Sequence, residues 1–198
     1  MDVDPVNINQ TETALSLKSW QALTEGDREA LGWLFRRYYP ELYKYGIKIC
    51  SNAEILEDCI QELFIEIWQS KNPPPSISVK AYLLKAIKYK LLKAMQKMKI
   101  VSLQPDVTDS GAFELSHESF LIAKQADAEK VKKVVLALAQ LTNRQKEIIY
   151  LKFYQNLDYE EVSEIMNINY QAARNLLHQA IKALKKILQQ SFSLLPLF

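Results

Sequence analysis

Gln171, Arg174, Asn175, His178 and Lys182 recur every three or four residues, so on a helix they share one face. Amides can pair with adenine, an arginine can grip guanine through two hydrogen bonds, and an imidazole and an ammonium add further polar groups. This is the chemistry that reading base edges in a DNA major groove requires. Lys185 and Lys186 extend the row toward phosphate. Any amphipathic helix has a polar side, but from Tyr170 to Gln190 there are four Lys or Arg residues and no Asp or Glu. In a chain of nearly balanced charge, an ordinary solvated face does not predict that bias.

The neighbouring residues position such a helix. Ala173, Leu177, Ala180 and Leu184 fall on its opposite, inward side. Asp158 is spaced to cap a preceding helix, with Glu161 reaching back, and Leu157 and Val162 are placed as a hydrophobic staple. Val162, Ile165 and Met166 give the helical stripe, Asn167-Ile168-Asn169 interrupts it, and Asn169 suits the N-cap of a helix that begins at Tyr170. The pattern predicts a helix-turn-helix. A lone helix pair cannot bury both apolar faces, and two further helices precede it. One runs from about Asp127 to Gln140 with Val131, Val134, Val135 and Leu138 on one side. The other is opened by a Thr142–Gln145 capping box and buries Ile148, Ile149 and Phe153.

Two earlier segments have chemically opposite surfaces. In residues 54–68, Leu56, Cys59, Ile60, Leu63 and Ile67 share one arc, while Glu54, Glu57, Asp58, Gln61, Glu62 and Glu66 occupy much of the rest. Charge alone fits a solvated side. Ile65 and Trp68, however, fall among the polar positions, and apolar groups beside charges are characteristic of protein-binding surfaces. Residues 80–98 carry Lys80, Lys85, Lys88, Lys90, Lys93 and Lys97 and no acid. Their apolar arc is Leu83, Leu84, Ile87, Leu91, Ala94, Met95 and Met98. Tyr82 and Tyr89 lie off that arc, near Lys85 and Lys93. Alternating lysines and rings suit single-stranded nucleic acid, with stacking worth ~1–3 kcal/mol per base.

The chain of 198 residues, 48% hydrophobic with a formal net charge of +2, has enough apolar content for one or two packed cores. Nucleic-acid binding must therefore come from local patches. Cys50 and Cys59 sit in apolar helical contexts and read as buried thiols, with neither a disulfide nor a metal site expected. The carboxylates of residues 54–66 lack a nearby His, nucleophilic Cys, glycine-rich phosphate loop or ligand cluster, so no catalytic residue, metal or cofactor is expected. Neither a signal segment nor a membrane-length apolar run is present, which predicts a cytoplasmic chain without membrane insertion. Four glycines and few β-branched runs predict an all-α fold of two small helical domains joined by a linker. The divisions are an N-terminal extension (1–23), a first domain (24–99), a linker (100–128), a four-helix helix-turn-helix domain (129–190) and an apolar tail (191–198). The linker carries Pro105, Asp106, Asp109, Ser110, Gly111, Glu114 and Glu118 and lacks periodicity.

Several words of the sequence resemble the extracytoplasmic-function group of the sigma-70 family of bacterial RNA polymerase initiation factors. In the first domain they are Gly26-Asp27-Arg28-Glu29-Ala30-Leu31, Tyr38-Tyr39-Pro40-Glu41-Leu42-Tyr43, Asp58 through Trp68, and Lys80-Ala81-Tyr82-Leu83. In the second they are Leu141-Thr142-Asn143-Arg144-Gln145, Leu157 through Val162, and Leu177-His178-Gln179-Ala180. The resemblance implies that residues 24–99 act as region 2, which binds the clamp helices of the largest catalytic subunit of core polymerase and the melted −10 element. Asp58, Gln61 and Glu62 match the polymerase-binding motif, with Ile65 and Trp68 beside them. It implies a −10 single-strand contact by Tyr82, Lys85, Lys88, Tyr89, Lys93 and Lys97. Residues 129–190 would be region 4, reading the −35 duplex with the row from Gln171 to Lys186. The words from Asn169 to Asn175 resemble a branch often held by membrane-anchored anti-sigma factors, which implies such a partner.

Departures are visible. Tyr89 stands where the family usually has asparagine, lysines replace the arginines that often end the basic helix, and Leu176 and Gln179 occupy positions that are often basic. A two-domain helix-turn-helix regulator that never touches polymerase accounts equally well for the reading helix and the lysine helix. It leaves the acidic helix unexplained.

Overall fold

The computed structural model describes residues 5–70, 75, 78–102, 113–114 and 128–193. Among them are eight α-helices and no strand, in two compact units, Met1–Gly111 and Ala112–Phe198. The all-α expectation holds. Pro105, Asp106, Asp109, Ser110, Gly111 and Glu118 of the linker, the side chain of Val131 and residues 194–198 of the tail lie outside what is described.

The first unit holds α1 (Pro5–Thr24), α2 (Arg28–Gly46), α3 (Ala53–Ser70) and α4 (Val79–Ser102). Helix α2 starts where Asp27 Oδ1 accepts the backbone N–H groups of Glu29 and Ala30 at 2.8 and 3.4 Å, satisfying donors that the helix cannot. Gly26, at φ 96°, makes the left-handed turn that brings the chain to this cap. Helix α2 packs on α3 and α4, and α3 packs on α4. Leu34, Leu42, Tyr45, Leu56, Ile60, Leu83, Leu84, Ile87 and Leu91 are buried among them. The approach is tight at Gly46, where a Cβ would collide with the Leu56 side chain and lie 3.2 Å from Leu91 Cδ1.

Helix α1 is the element that the sequence pattern leaves outside this domain. It packs on α2 and α4, buries Trp20 and Leu23, and sets Ser16 Oγ 2.6 Å from the Tyr38 hydroxyl in a buried hydrogen bond. Among its described side chains Trp20 and Leu23 are the large apolar ones that are buried, and two such positions do not make a legible stripe. At the other end Met98, placed by the periodicity on the apolar arc of α4, is exposed.

The second unit holds α5 (Ala128–Ala139), α6 (Asn143–Ile149), α7 (Tyr159–Met166) and α8 (Tyr170–Ser193). Helices α5, α6 and α7 all pack on α8, so the expected reading helix is also the spine of its unit. The Thr142–Gln145 capping box is present in both directions. Ile148, Ile149 and Leu138 are buried and Val134 and Val135 half-buried. Phe153 is not in the core: it is 61% exposed. Helix α6 continues into a π-helical turn, Tyr150–Tyr154, whose extra residue shifts the register. The shift turns Tyr150 and Leu151 inward and Phe153 out.

That turn carries an aromatic stack. The Tyr150 and Tyr154 rings lie 5.6 Å apart at 12°, and the Gln155 amide donates to the Tyr150 hydroxyl at 3.0 Å in a buried contact. Phe113, from the middle of the expected linker, is buried edge-on to Tyr150 at 5.7 Å. At least this linker residue belongs to the second unit's core.

Candidate functional site

The helix-turn-helix is assembled by its caps. Asp158 Oδ1 accepts the Glu161 N–H at 2.8 Å while Glu161 Oε2 accepts the Asp158 N–H at 2.9 Å, and Leu157 and Val162 are both buried beside them. Asn167 ends α7 in the left-handed region, at φ 51° and ψ 52°, a conformation that asparagine tolerates better than most side chains. Asn169 Oδ1 then accepts the Ala172 N–H at 2.7 Å and opens α8. Ala173, Leu177 and Ala180 are buried and Leu184 is half-buried. Gln171, Arg174, Asn175, His178, Lys182, Lys185 and Lys186 are all exposed.

Neighbours organise this exposed row. Gln171 Nε2 donates to Asn175 Oδ1 at 3.1 Å, so the two amides share one orientation. The Arg174 guanidinium lies 6.0 Å from the Tyr170 ring centre, and that ring sits edge-on to Tyr159 at 5.6 Å. Behind Tyr159, Lys152 Nζ stands 4.8 Å over the ring and donates to the Leu157 carbonyl at 2.7 Å. Lys152, Tyr159 and Tyr170 therefore support Arg174 from beneath. The spacing of Tyr170 and Arg174 is visible in the sequence; the Lys152–Tyr159 contact joins separate elements and leaves no sequence signal.

On α3 the expected core residues are buried, and Glu54, Glu57, Asp58, Gln61, Glu62 and Glu66 are exposed. Ile65 is 54% exposed. It and Trp68 line an open groove of about 460 Å³ with Gln61, Phe64 and, from α2, Phe35 and Arg36. The lining of the groove is mostly apolar and includes two cationic side chains, Arg28 and Arg36. Its α2 wall has no counterpart in the α3 pattern.

On α4, Lys85, Tyr89, Lys93 and Lys97 are exposed, Tyr89 by 68%, and Lys88 is half-buried. Tyr82 departs from the expected open face. It is half-buried and meets Trp20 edge-on at 5.2 Å, because α1 covers that part of α4. Two other lysines bind acids within the unit. Lys80 Nζ is 3.1 Å from Glu41 Oε2, and Lys90 Nζ lies 2.6 Å from Glu66 Oε1 and 3.5 Å from Glu62 Oε2. Burial pushes the Lys90 ammonium toward a lower pKa, but the hydrogen bond to Glu66 and the charges of Glu66 and Glu62 outweigh it and raise the value. Cys50 and Cys59 are free and buried. Burial raises the pKa of the Cys59 thiol, and the charge of Glu62 adds to the rise. Among the described residues no His, Cys, Asp and Glu are grouped as metal ligands, and no helix is long and apolar enough to cross a membrane.

Two all-helical units, one ending in a capped helix-turn-helix with a basic outer face, define a DNA-binding transcription factor. Residues 34–99 match the sigma-70 region 2 family model and residues 132–184 the sigma-70 region 4 model. The chain is 23% identical to the ECF RNA polymerase sigma factor SigK of Mycobacterium ulcerans, over 85% of this chain and 91% of that one. It is 25% identical to the ECF sigma factor SigM of Bacillus subtilis, over 78% and 92%. Among solved structures, CnrH in complex with the cytosolic domain of CnrY shares the fold at TM-score 0.58 and 15% identity, covering 89% of this chain and 98% of that one. The sigma factor RpoE, in complex with the anti-sigma factor NepR from Bartonella quintana, does so at 0.54 and 19%, covering 78% and 94%. The chain belongs to the sigma-70 family, in its extracytoplasmic-function group. All of α1 and the start of α2 precede residue 34, where the region 2 match begins.

Proposed function

We propose that this sigma factor docks on core RNA polymerase through the acidic face of α3, reads the −35 duplex with α8 and captures the opened −10 strand with α4. The carrying observation is the exposure of Asp58, Gln61 and Glu62 on one face of α3, next to the groove of Ile65 and Trp68. Charge there steers and orients a basic partner, and the apolar groove supplies surface that gains from losing water. The clamp helices of the largest catalytic subunit are the partner expected of the family. On α8, Gln171, Arg174, Asn175 and His178 present the groups that match purine edges, while Lys182, Lys185 and Lys186 neutralise phosphate. On α4, Lys85, Tyr89, Lys93 and Lys97 combine charge with one fully offered ring, and Lys88 stands at their edge. Tyr82 supports α4 against Trp20 rather than stacking on bases.

The protein acts in the cytoplasm in this reading, and its regulatory partner is an anti-sigma protein. The family relation supports both. Reversing Asp58 and Glu62 together to Lys is expected to weaken core polymerase binding by about tenfold or more, at 1.4 kcal/mol per decade, with helicity unchanged. Both side chains are exposed, and Lys90 keeps its shorter contact to Glu66 when Glu62 is replaced, so the helices are expected to stay formed. Undiminished affinity in a core titration would leave a DNA-binding regulator that works without polymerase.

A further inference from the structure

The acidic face of α3 is not presented bare. Lys90 reaches it from α4, 24 residues away in sequence from Glu66. Its side chain is only 14% exposed, whereas those of Glu62 and Glu66 are 67% and 62% exposed. The stem is thus packed while the ammonium meets two carboxylates at the edge of solvent. Among the six lysines on α4 between residues 80 and 97, Lys90 pairs with acids of α3, and Lys85, Lys93 and Lys97 are exposed.

We propose that Lys90 is an internal occupant of the polymerase-binding face, holding Glu62 and Glu66 until a basic side chain of the partner displaces it. This rests on the reading of α3 given above. A cationic group already paired with Glu62 offsets part of the attraction that a basic partner would otherwise meet. The partner must exchange one ion pair for another, and the net gain is smaller than the exposed acids alone imply. The contact sets the affinity of the face without forming part of the final interface, and keeps the acidic face compensated before core polymerase arrives.

The test is a titration of core polymerase with the full-length chain, without DNA, at two salt concentrations. Lys90→Gln and Lys90→Met both keep a long stem and remove the charge. Each is expected to bind core about two- to fivefold more tightly than wild type, the scale of an exposed ion pair, with the gain shrinking as salt rises. Lys90→Arg, which keeps the charge, should bind as wild type does. Lys44→Gln makes the same change in net charge on an exposed lysine of α2 and should leave affinity unchanged. If both neutral variants melt cooperatively but bind core as wild type or more weakly, Lys90 does not compete and the proposal falls. The Asp58→Lys/Glu62→Lys variant separates the two levels. If it binds weakly while the Lys90 variants are neutral, only the role of Lys90 is wrong; if it binds undiminished, the polymerase reading of α3 fails and the role of Lys90 fails with it.

Discussion

Arg174, proposed to read a base, shows how neighbours can prepare a single side chain for that task. A free arginine has many rotamers, and ordering one on DNA costs conformational entropy. Here Tyr170 lies beneath the guanidinium and Tyr159 beneath Tyr170, so part of that ordering precedes binding. Substituting Arg174, Asn175 and His178 by Ala is expected to weaken upstream duplex binding by ~1–3 kcal/mol for each good base contact. Tyr170→Ala should have a smaller effect of the same kind, read by titrating labelled duplex. Equal binding by the triple variant and wild type would show that the α8 row is only solvated. The cysteines pose the opposite problem. Burial and the negative charge of Glu62 keep the Cys59 thiol protonated, and the thiolate is the reactive form. Alkylation of the folded protein should therefore be slow, and a double Cys→Ala variant should keep its transcription activity under both reducing and oxidising conditions.

Elements are joined here by a few close contacts. At Gly46 the backbone of α2 runs against Leu56 of α3 and Leu91 of α4, with buried leucine on both sides. Gly46→Ala improves helix propensity by up to ~1 kcal/mol, yet the added methyl overpacks the junction at a cost of ~1–3 kcal/mol. The net expectation is a lower melting temperature, against the sign that propensity predicts. In the second unit the π-helical turn depends on its rings. Burial pushes the Tyr154 pKa up to about 12, whereas in the unfolded chain a tyrosine titrates near 10. The folded state thus favours the neutral phenol. Its contribution is complete below pH 10 and is lost as the pH rises toward 12, because the unfolded chain releases the proton first. Urea unfolding across that window should show the loss, and Tyr154→Phe should flatten it. Phe113→Ala should lower the stability of the same unit, since it empties a buried aromatic site.

Across the whole molecule, the proposed duplex reading by α8 and strand capture by α4 fall on separate units, so variants should separate them. Ala substitution of Lys85, Tyr89 and Lys93, all exposed on α4, is expected to spare upstream duplex binding in the polymerase complex. It should reduce promoter opening, measured as permanganate reactivity of unpaired thymines. Supplying a pre-melted bubble should restore part of the loss, because the strand no longer has to be separated before it is held. Opening of a closed cognate promoter at the wild-type level would remove this role from α4. The α8 variants should show the reverse, with weak recruitment to duplex and little rescue by the bubble.

Local signals in the sequence were enough for the reading unit. The capping boxes at Thr142 and Asp158, the break at Asn167-Ile168-Asn169 with its Asn169 cap and the two-sided pattern of α8 each act over three or four residues, and each is present. The acidic and lysine-rich faces were legible for the same reason: helical periodicity assigns a side to every residue. Contacts between residues distant in the chain were not legible. Trp20 on Tyr82, Lys90 on Glu62 and Glu66, and Phe113 on Tyr150 depend on which helices become neighbours, and no spacing encodes that. The π-helical turn misplaced Phe153 because one additional residue per turn breaks the period on which the inference relied. Sequence therefore determined which faces exist and what chemistry they carry. Tertiary packing decided which of those side chains remain free to use it, since a lysine or a tyrosine on the right face is still spent when another helix reaches it first.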